Sequence, residues 1–278
     1  MRCAKMVLAL STGSLHNYGL NRVFALAAEA GFEGLEIMVD ERWDTRQADY
    51  LTHLSAKYNL PIVSMHEPFH HLNLHGWNRD LLSRLKRTIK LAERVGAYLV
   101  VIHPPKRTFR VNFGDSFSLH LPFPVGRAYL RWLKEKLATF QARTPVLITL
   151  ENMPCRRFGP LRLNHYHLNN LEELKNFAHL TFDTTHWGSW GVNLLETYEQ
   201  LADRIVHVHL SNYNGREHSL LTDGYLPLAE LLRRLKAHRY QGIITVELGP
   251  TALQAENEGK VRTHLQESIA FCRKHFER

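Results

Sequence analysis

Residues 204–224 read RIVHVHLSNYNGREHSLLTDG. The stretch opens as a strand, with apolar and polar residues alternating through Ile205, Val206, His207, Val208 and His209. It then breaks into a polar loop that carries a third histidine, His218, and closes on Gly224. His207 and His209 are two apart and so share one face of the strand. Taken alone, either is an ordinary half-buried residue. The pair acquires chemical meaning only if other strands of the chain also end in metal-binding groups.

Working outward, the same kind of strand recurs. Short apolar, β-branched runs stand at MVLALS (6–11), GLEIMV (34–39), PIVSMH (61–66), YLVVIH (98–103), VLITLE (146–151), HLTFDT (179–184), IVHVHL (205–210) and GIITVEL (242–248). Between them, apolar residues recur every three to four positions at 21–31, 79–96, 125–143, 171–178, 226–238 and 260–276, the period of amphipathic helices. Gly31 and Gly96 fall where helix C-caps are expected. Eight strands alternating with helices predict parallel βαβ units. That count in 278 residues predicts one α/β domain over 1–278, a closed (β/α)8 TIM barrel. A doubly wound open sheet is the alternative, but no G-x-G-x-x-G follows any strand. The segment 104–122 reads as the longest structureless loop, a place where function concentrates.

Composition narrows the class. Hydrophobic residues make up 44% and charged residues 22%, enough core and too little charge for a disordered chain. No apolar run approaches the ~20 residues that span a bilayer, so no membrane partner is expected. The N-terminal MRCAKMVLALSTGSLHNYG reads as a first strand rather than a signal peptide, since it has no small-residue cleavage pattern. Cys3, Cys155 and Cys272 are odd in number and far apart, which suggests neither a disulfide framework nor a thiolate zinc site. A cytoplasmic location is the default. The net charge of +8 admits an anionic partner, a phosphorylated sugar or nucleic acid. Its spread over helices such as 79–87 and 233–236 reads more simply as a solvated surface. Nothing signals an oligomeric state.

In such a barrel the active site forms at the C-terminal ends of the strands. Those ends carry Glu36, His66, His103, Glu151, Asp183, His209 and Glu247, with His186 and His218 just beyond. One strand-end histidine is usually a hydrogen-bonded structural residue. So many ionisable groups at one mouth repel and take up protons unless a cation joins them. Carboxylates with imidazoles suit Zn, Mn, Fe, Co or Mg. A structural alternative for Glu151 is an ion pair with an arginine such as Arg156.

The segments SMHEPF, VIHPP, TLENMP, FDTTHWG, HVHL, REHSLLTDG and VEL occur in an order and spacing that resembles the xylose-isomerase-like TIM-barrel superfamily over essentially the whole chain. That superfamily includes sugar isomerases and epimerases and the family-2 apurinic endonucleases. The resemblance to the epimerase branch implies a Mn-like ion held by Glu151, Asp183, His209 and Glu247. It implies a sugar or sugar-phosphate substrate whose carbonyl is polarised and whose enediolate is stabilised by the ion. Glu151 and Glu247 would remove and return the proton, while His186 and Arg216 hold substrate oxygens.

The resemblance to the endonuclease IV-like branch implies instead a zinc cluster, joined by His66, His103, His186 and His218, acting on abasic DNA. Phe69 matches an aromatic position of that branch. There are departures. The branch has an Asp-Arg-His run where this chain has Arg216-Glu217-His218, and its Asp-Ser-Lys run is replaced by Ser211-Asn212-Tyr213. Glu217 is expected to point differently from the missing Asp, which puts a third metal in doubt. The isomerase or epimerase is therefore the preferred reading. A non-catalytic barrel that binds a sugar is the third, and two opposed glutamates argue against it.

Other features weigh less. Ser11, Ser14 and Ser211 lack a G-x-S-x-G setting. Trp77, Trp187 and Trp190 are placed near the mouth, with Trp187 a candidate to stack on substrate or simply to pack. His70, His71 and His75 read as a solvated loop. His207, one layer deeper than His209, reads as a supporting residue.

Overall fold

The computed structural model describes residues 5–107, 109–113, 117–121, 126–159 and 161–276. The strands are β1 (Val7–Ser11), β2 (Gly34–Met38), β3 (Ile62–His66), β4 (Leu99–Ile102), β5 (Phe109–Phe113), β6 (Phe117–Leu121), β7 (Leu147–Glu151), β8 (Arg156–Phe158), β9 (Leu161–Leu163), β10 (Leu180–Asp183), β11 (Ile205–Leu210) and β12 (Ile243–Val246). Eight of them close a barrel in the order β1-β12-β11-β10-β7-β4-β3-β2, every neighbouring pair parallel. These are the eight runs picked out by their apolar, β-branched character, so the (β/α)8 architecture follows from the sequence.

The helices are α1 (Leu20–Ala30), α2 (Ala48–Tyr58), α3 (Leu81–Val95), α4 (Arg127–Glu135), α5 (Leu137–Gln141), α6 (Leu171–Leu174), α7 (Thr184–Trp190), α8 (Leu194–Leu201), α9 (Leu228–Ala237) and α10 (Glu258–Phe276). Gly31 and Gly96 cap α1 and α3 at φ of 95° and 78°, a left-handed conformation that glycine adopts without a Cβ clash. Three helices lie outside the expected set. In α2 the signal was present, since Leu51 and Leu54 are buried three residues apart. In α7 the sequence TTHWGSW is a poor helix former, and the Asp183 carboxylate starts the helix by accepting the His186 N–H at 2.7 Å. The third, α8, starts on an Asn193 cap.

Two expectations are corrected. The helix expected over 125–143 is two helices, because the backbone leaves the helical region at Lys136, φ −121°. The loop expected over 104–122 contains the antiparallel hairpin β5–β6. Its strands FRVNF and FSLHL alternate apolar and polar, a period-two signal that was legible. A second hairpin, β8–β9, follows β7.

The main core lies between the strands and the helices, built on outward residues such as Leu10, Ile37, Val100, Ile148 and Ile244. A smaller apolar cluster of Ala9, Val63, Leu99, Val101 and Ile243 fills the interior of the barrel. Among the described residues no helix is long and apolar enough to cross a membrane.

Candidate active site

The strand ends converge. Glu151 ends β7, Asp183 ends β10, His209 is the penultimate residue of β11, and Glu247 follows β12. All four are buried, and one ligand atom from each lies within 4.8 Å of the others. His209 Nδ1 is 2.9 Å from Glu151 Oε1, 3.0 Å from Glu247 Oε2 and 3.7 Å from Asp183 Oδ2. Asp183 spends Oδ1 on the α7 cap, and its buried Oδ2 has no hydrogen-bond donor.

Three carboxylates and one imidazole in a buried site are an incomplete set. Burial opposes charge on His209, yet Glu247, Glu36 and Glu151 raise its pKa well above the imidazole range. Burial also opposes charge on Glu151, but His209 and the hydrogen bonds from His103, His209 and His66 hold it well below the carboxylate range. Glu247 is likewise lowered, against burial, by His209. Asp183, where burial wins, is pushed up to about 6. Positive charge is drawn to this point, and an orphaned carboxylate oxygen faces it. Hard oxygens with one imidazole fit a divalent cation of the Mg, Mn, Co or Zn kind.

Two further groups flank this tetrad. His66 Nε2 and His103 Nε2 lie 3.3 and 2.9 Å from Glu151 Oε2, all three buried. His66 Nδ1 faces the Glu67 carbonyl at 2.7 Å, so that nitrogen carries the proton. Burial works against charge on His66, but Glu151 raises its pKa to about 9; burial brings His103 down to about 4. On the other side His186, Glu217 and His218 bring ligand atoms within 4.8 Å of one another. His186 Nδ1 donates to the Asn152 carbonyl at 2.8 Å, which leaves Nε2 as the ring nitrogen for another partner. His218 sits in the left-handed region at φ 57°, unusual for a non-glycine residue. Its N–H donates to Thr185 Oγ1 at 3.2 Å and its carbonyl accepts from Gly249 N at 2.7 Å, and these bonds hold the ring over the mouth.

Glu151 and Glu247 of the tetrad, together with the flanking groups, line a cavity of about 240 Å³, and Asp183 and His209 lie beneath it. Phe69 lines it and stacks on His103, ring centroids 5.2 Å apart. The other expected contacts are placed differently. Arg216 is exposed and does not line the cavity, whereas its neighbour Glu217, also exposed, does. Glu217, expected to point differently from the missing Asp, is the acid that joins His186 and His218. Trp187 is 6% exposed and packs on Phe182 in the core, so it is no stacking surface at the mouth. Trp190 donates its indole N–H to the Met153 carbonyl. Of the histidine-rich loop, His70 and His71 line the cavity and His75 is exposed. Glu151 is paired with histidines, while Arg156 is exposed on β8. His207 is fully buried between the hydroxyls of Thr181 (3.1 Å) and Thr245 (2.8 Å), and burial lowers its pKa to about 3.

Sequence reasoning missed Glu67 and Tyr166. Glu67 is 1% exposed and accepts the His103 backbone N–H at 2.7 Å. Its signal was its place beside His66 in SMHEPF. Tyr166 lines the cavity from an irregular segment that carries no periodicity to mark it.

The profile of the xylose isomerase-like TIM barrel family matches residues 24–275. An uncharacterized protein of Mycobacterium tuberculosis is 27% identical over 293 residues, covering 98% of each chain. Among solved structures, the 3-keto-D-glucoside 4-epimerase of E. coli superimposes with a TM-score of 0.69 at 17% identity, covering 97% of this chain and 100% of that one. The D-allulose 3-epimerase of Methylomonas sp., in complex with D-allulose, superimposes with a TM-score of 0.68 at 18% identity, covering 99% of each.

Proposed function

The chain belongs to the xylose isomerase-like TIM barrel family, and from that premise we propose that it is a divalent-metal-dependent isomerase or epimerase of a sugar or sugar phosphate. The observation that carries this is the placement of Glu151 and Glu247. They stand on strands three steps apart around the barrel, β7 and β12, and both face one cavity beside His209 Nδ1. A site that only binds has no need of two such opposed acids.

Glu151, Asp183, His209 and Glu247 would hold the ion, which supplies Lewis-acid polarisation of a carbonyl. The chain's own residues do the rest. One glutamate takes the proton from the carbon next to the carbonyl, and the other returns a proton. Return to the opposite face of the same carbon is epimerisation; return to the neighbouring carbon is isomerisation. His186 Nε2 and His218 would bind substrate hydroxyls, and the Phe69 ring would pack against a carbon face. Burial of the acids keeps bulk water from competing for the proton.

The test is proton exchange. Metal-loaded, untagged protein is incubated with a panel of ketoses and ketose phosphates in D2O, and deuterium at the carbon beside the carbonyl is read by NMR. Exchange with at least one of them is expected. No exchange across the panel sinks the reading.

A second reading has its own support. The groups around His66 and His186 flank the tetrad, and Glu217 fills the gap left by Arg216. A mouth with room for several cations suits a zinc phosphodiesterase acting on abasic DNA, to which the net charge of +8 is favourable. Elemental analysis separates the two. About one Mn, Co or Mg per chain favours the isomerase or epimerase; two or three Zn favour the phosphodiesterase.

A further inference from the structure

We propose that Glu36 is a positioning residue for the metal centre. It accepts a hydrogen bond from the Nε2–H of His209 and thereby turns the Nδ1 lone pair towards Glu151, Asp183 and Glu247. The inference rests on reading that tetrad as a metal site.

His209 has carboxylates at both ring nitrogens. Nε2 is 2.9 Å from Glu36 Oε1, while Nδ1 is 2.9 Å from Glu151 and 3.0 Å from Glu247. In the metal-free protein both nitrogens can donate, but a ring that gives a lone pair to a cation keeps one proton, so one side must receive that proton and the other must present the lone pair. Glu36 is the side that cannot use a lone pair. It is fully buried, does not line the cavity, and comes from β2, three strands round the barrel from β11. Its other oxygen accepts from Ser64 Oγ at 2.8 Å. The nearby His207 is held between two threonine hydroxyls and leaves the Nε2 proton of His209 to Glu36. Among the described residues no lysine or arginine pairs with Glu36, so a buried carboxylate is kept there for imidazoles and one hydroxyl. The strand is also shaped for it. The β2–β3 register shifts between Leu35 and Glu36, an irregularity of the kind that re-aims a side chain. A carboxylate behind a metal-binding histidine fixes its tautomer and ring orientation.

The experiment uses the full chain and Mn2+ alone, with free Mn2+ read by electron paramagnetic resonance. Glu36→Leu is expected to weaken Mn2+ binding about 10–100-fold. Glu36→Gln, which keeps an acceptor oxygen, restores most of that affinity. The metal-free Leu variant should still fold, since His209 keeps Glu151 and Glu247 as partners. A purely structural role predicts lower melting with unchanged Mn2+ affinity. In wild-type zinc-loaded protein, 15N NMR of labelled histidine should find His209 protonated at Nε2. Protonation at Nδ1, or Mn2+ affinity of the Leu variant within twofold of wild type, overturns the proposal. If Glu36→Leu does not fold, the NMR assignment decides. Wild type that binds no Mn2+ overturns the metal reading and this inference together. Mn2+ binding that survives Glu36→Leu overturns only the inference.

Discussion

The interior of the barrel differs from floor to mouth along the same strands. On β7 the inward positions run Leu147, Thr149, Glu151; at β12 they run Ile243, Thr245, Glu247. The floor is closed by apolar side chains, Ala9, Leu99 and Ile243 among them, and the middle by hydroxyls and His207. The mouth holds charged groups that have too few partners in the protein. Floor residues are buried to satisfy one another, and mouth residues are buried to satisfy something that arrives. Substitutions should therefore act on stability at one end and on chemistry at the other.

The largest effects test the mouth. Glu151→Gln and Glu247→Gln should each abolish turnover, a loss of about 10²–10⁴-fold or more for a general acid–base group. Both variants should keep the native fold by circular dichroism, so that the lost rate is read on folded protein. Near-normal rates in either variant break the proton-transfer pair. At the floor, Ile243→Ala should cost about 2–5 kcal/mol in urea unfolding, through lost burial and a cavity. Metal content per folded molecule should stay the same. If the floor variant loses metal while keeping stability, the two ends are not separate in function.

How much of this was legible follows the same division. Strand cores are read by apolar runs, and polar residues ending those runs stand out against them, so Glu151, Asp183, His209 and Glu247 could be picked from sequence. Residues in the connecting loops have no such background. Arg216 and Glu217 are neighbours, and only the turn's backbone decides which one faces the cavity. Trp187 sits in a helix that exists because Asp183 caps it, so its burial could not be read from a weak helical sequence. Glu36 was visible as a strand acid, but its depth below His209 depends on a register shift in β2–β3.

His66 offers a smaller effect that separates the two readings of the mouth. Under the isomerase or epimerase reading it supports Glu151 from the side, and His66→Ala should lower the rate only modestly, with metal content retained. Complete loss of activity together with loss of bound metal would place His66 among the ligands of a cluster and favour the phosphodiesterase.

The smallest effect is in pH dependence. In the folded metal-free protein the His66 pKa is raised from 6.5 to about 9 by Glu151. A group raised on folding contributes stability that is full below its unfolded pKa and is lost as pH rises through the folded value. The His66 contribution is therefore complete below about pH 6.5 and gone above about pH 9. Between those limits, the melting temperature of the metal-free wild type should fall relative to that of His66→Ala. The other groups of the mouth titrate in both proteins, so the difference between the curves isolates this histidine. Saturating Mn2+ should flatten the difference, because a cation at Glu151 weakens the hold of that carboxylate on the His66 proton. Parallel curves in metal-free protein would mean that His66 is neutral there and that the charge at Glu151 is balanced by its other partners, His103 and His209.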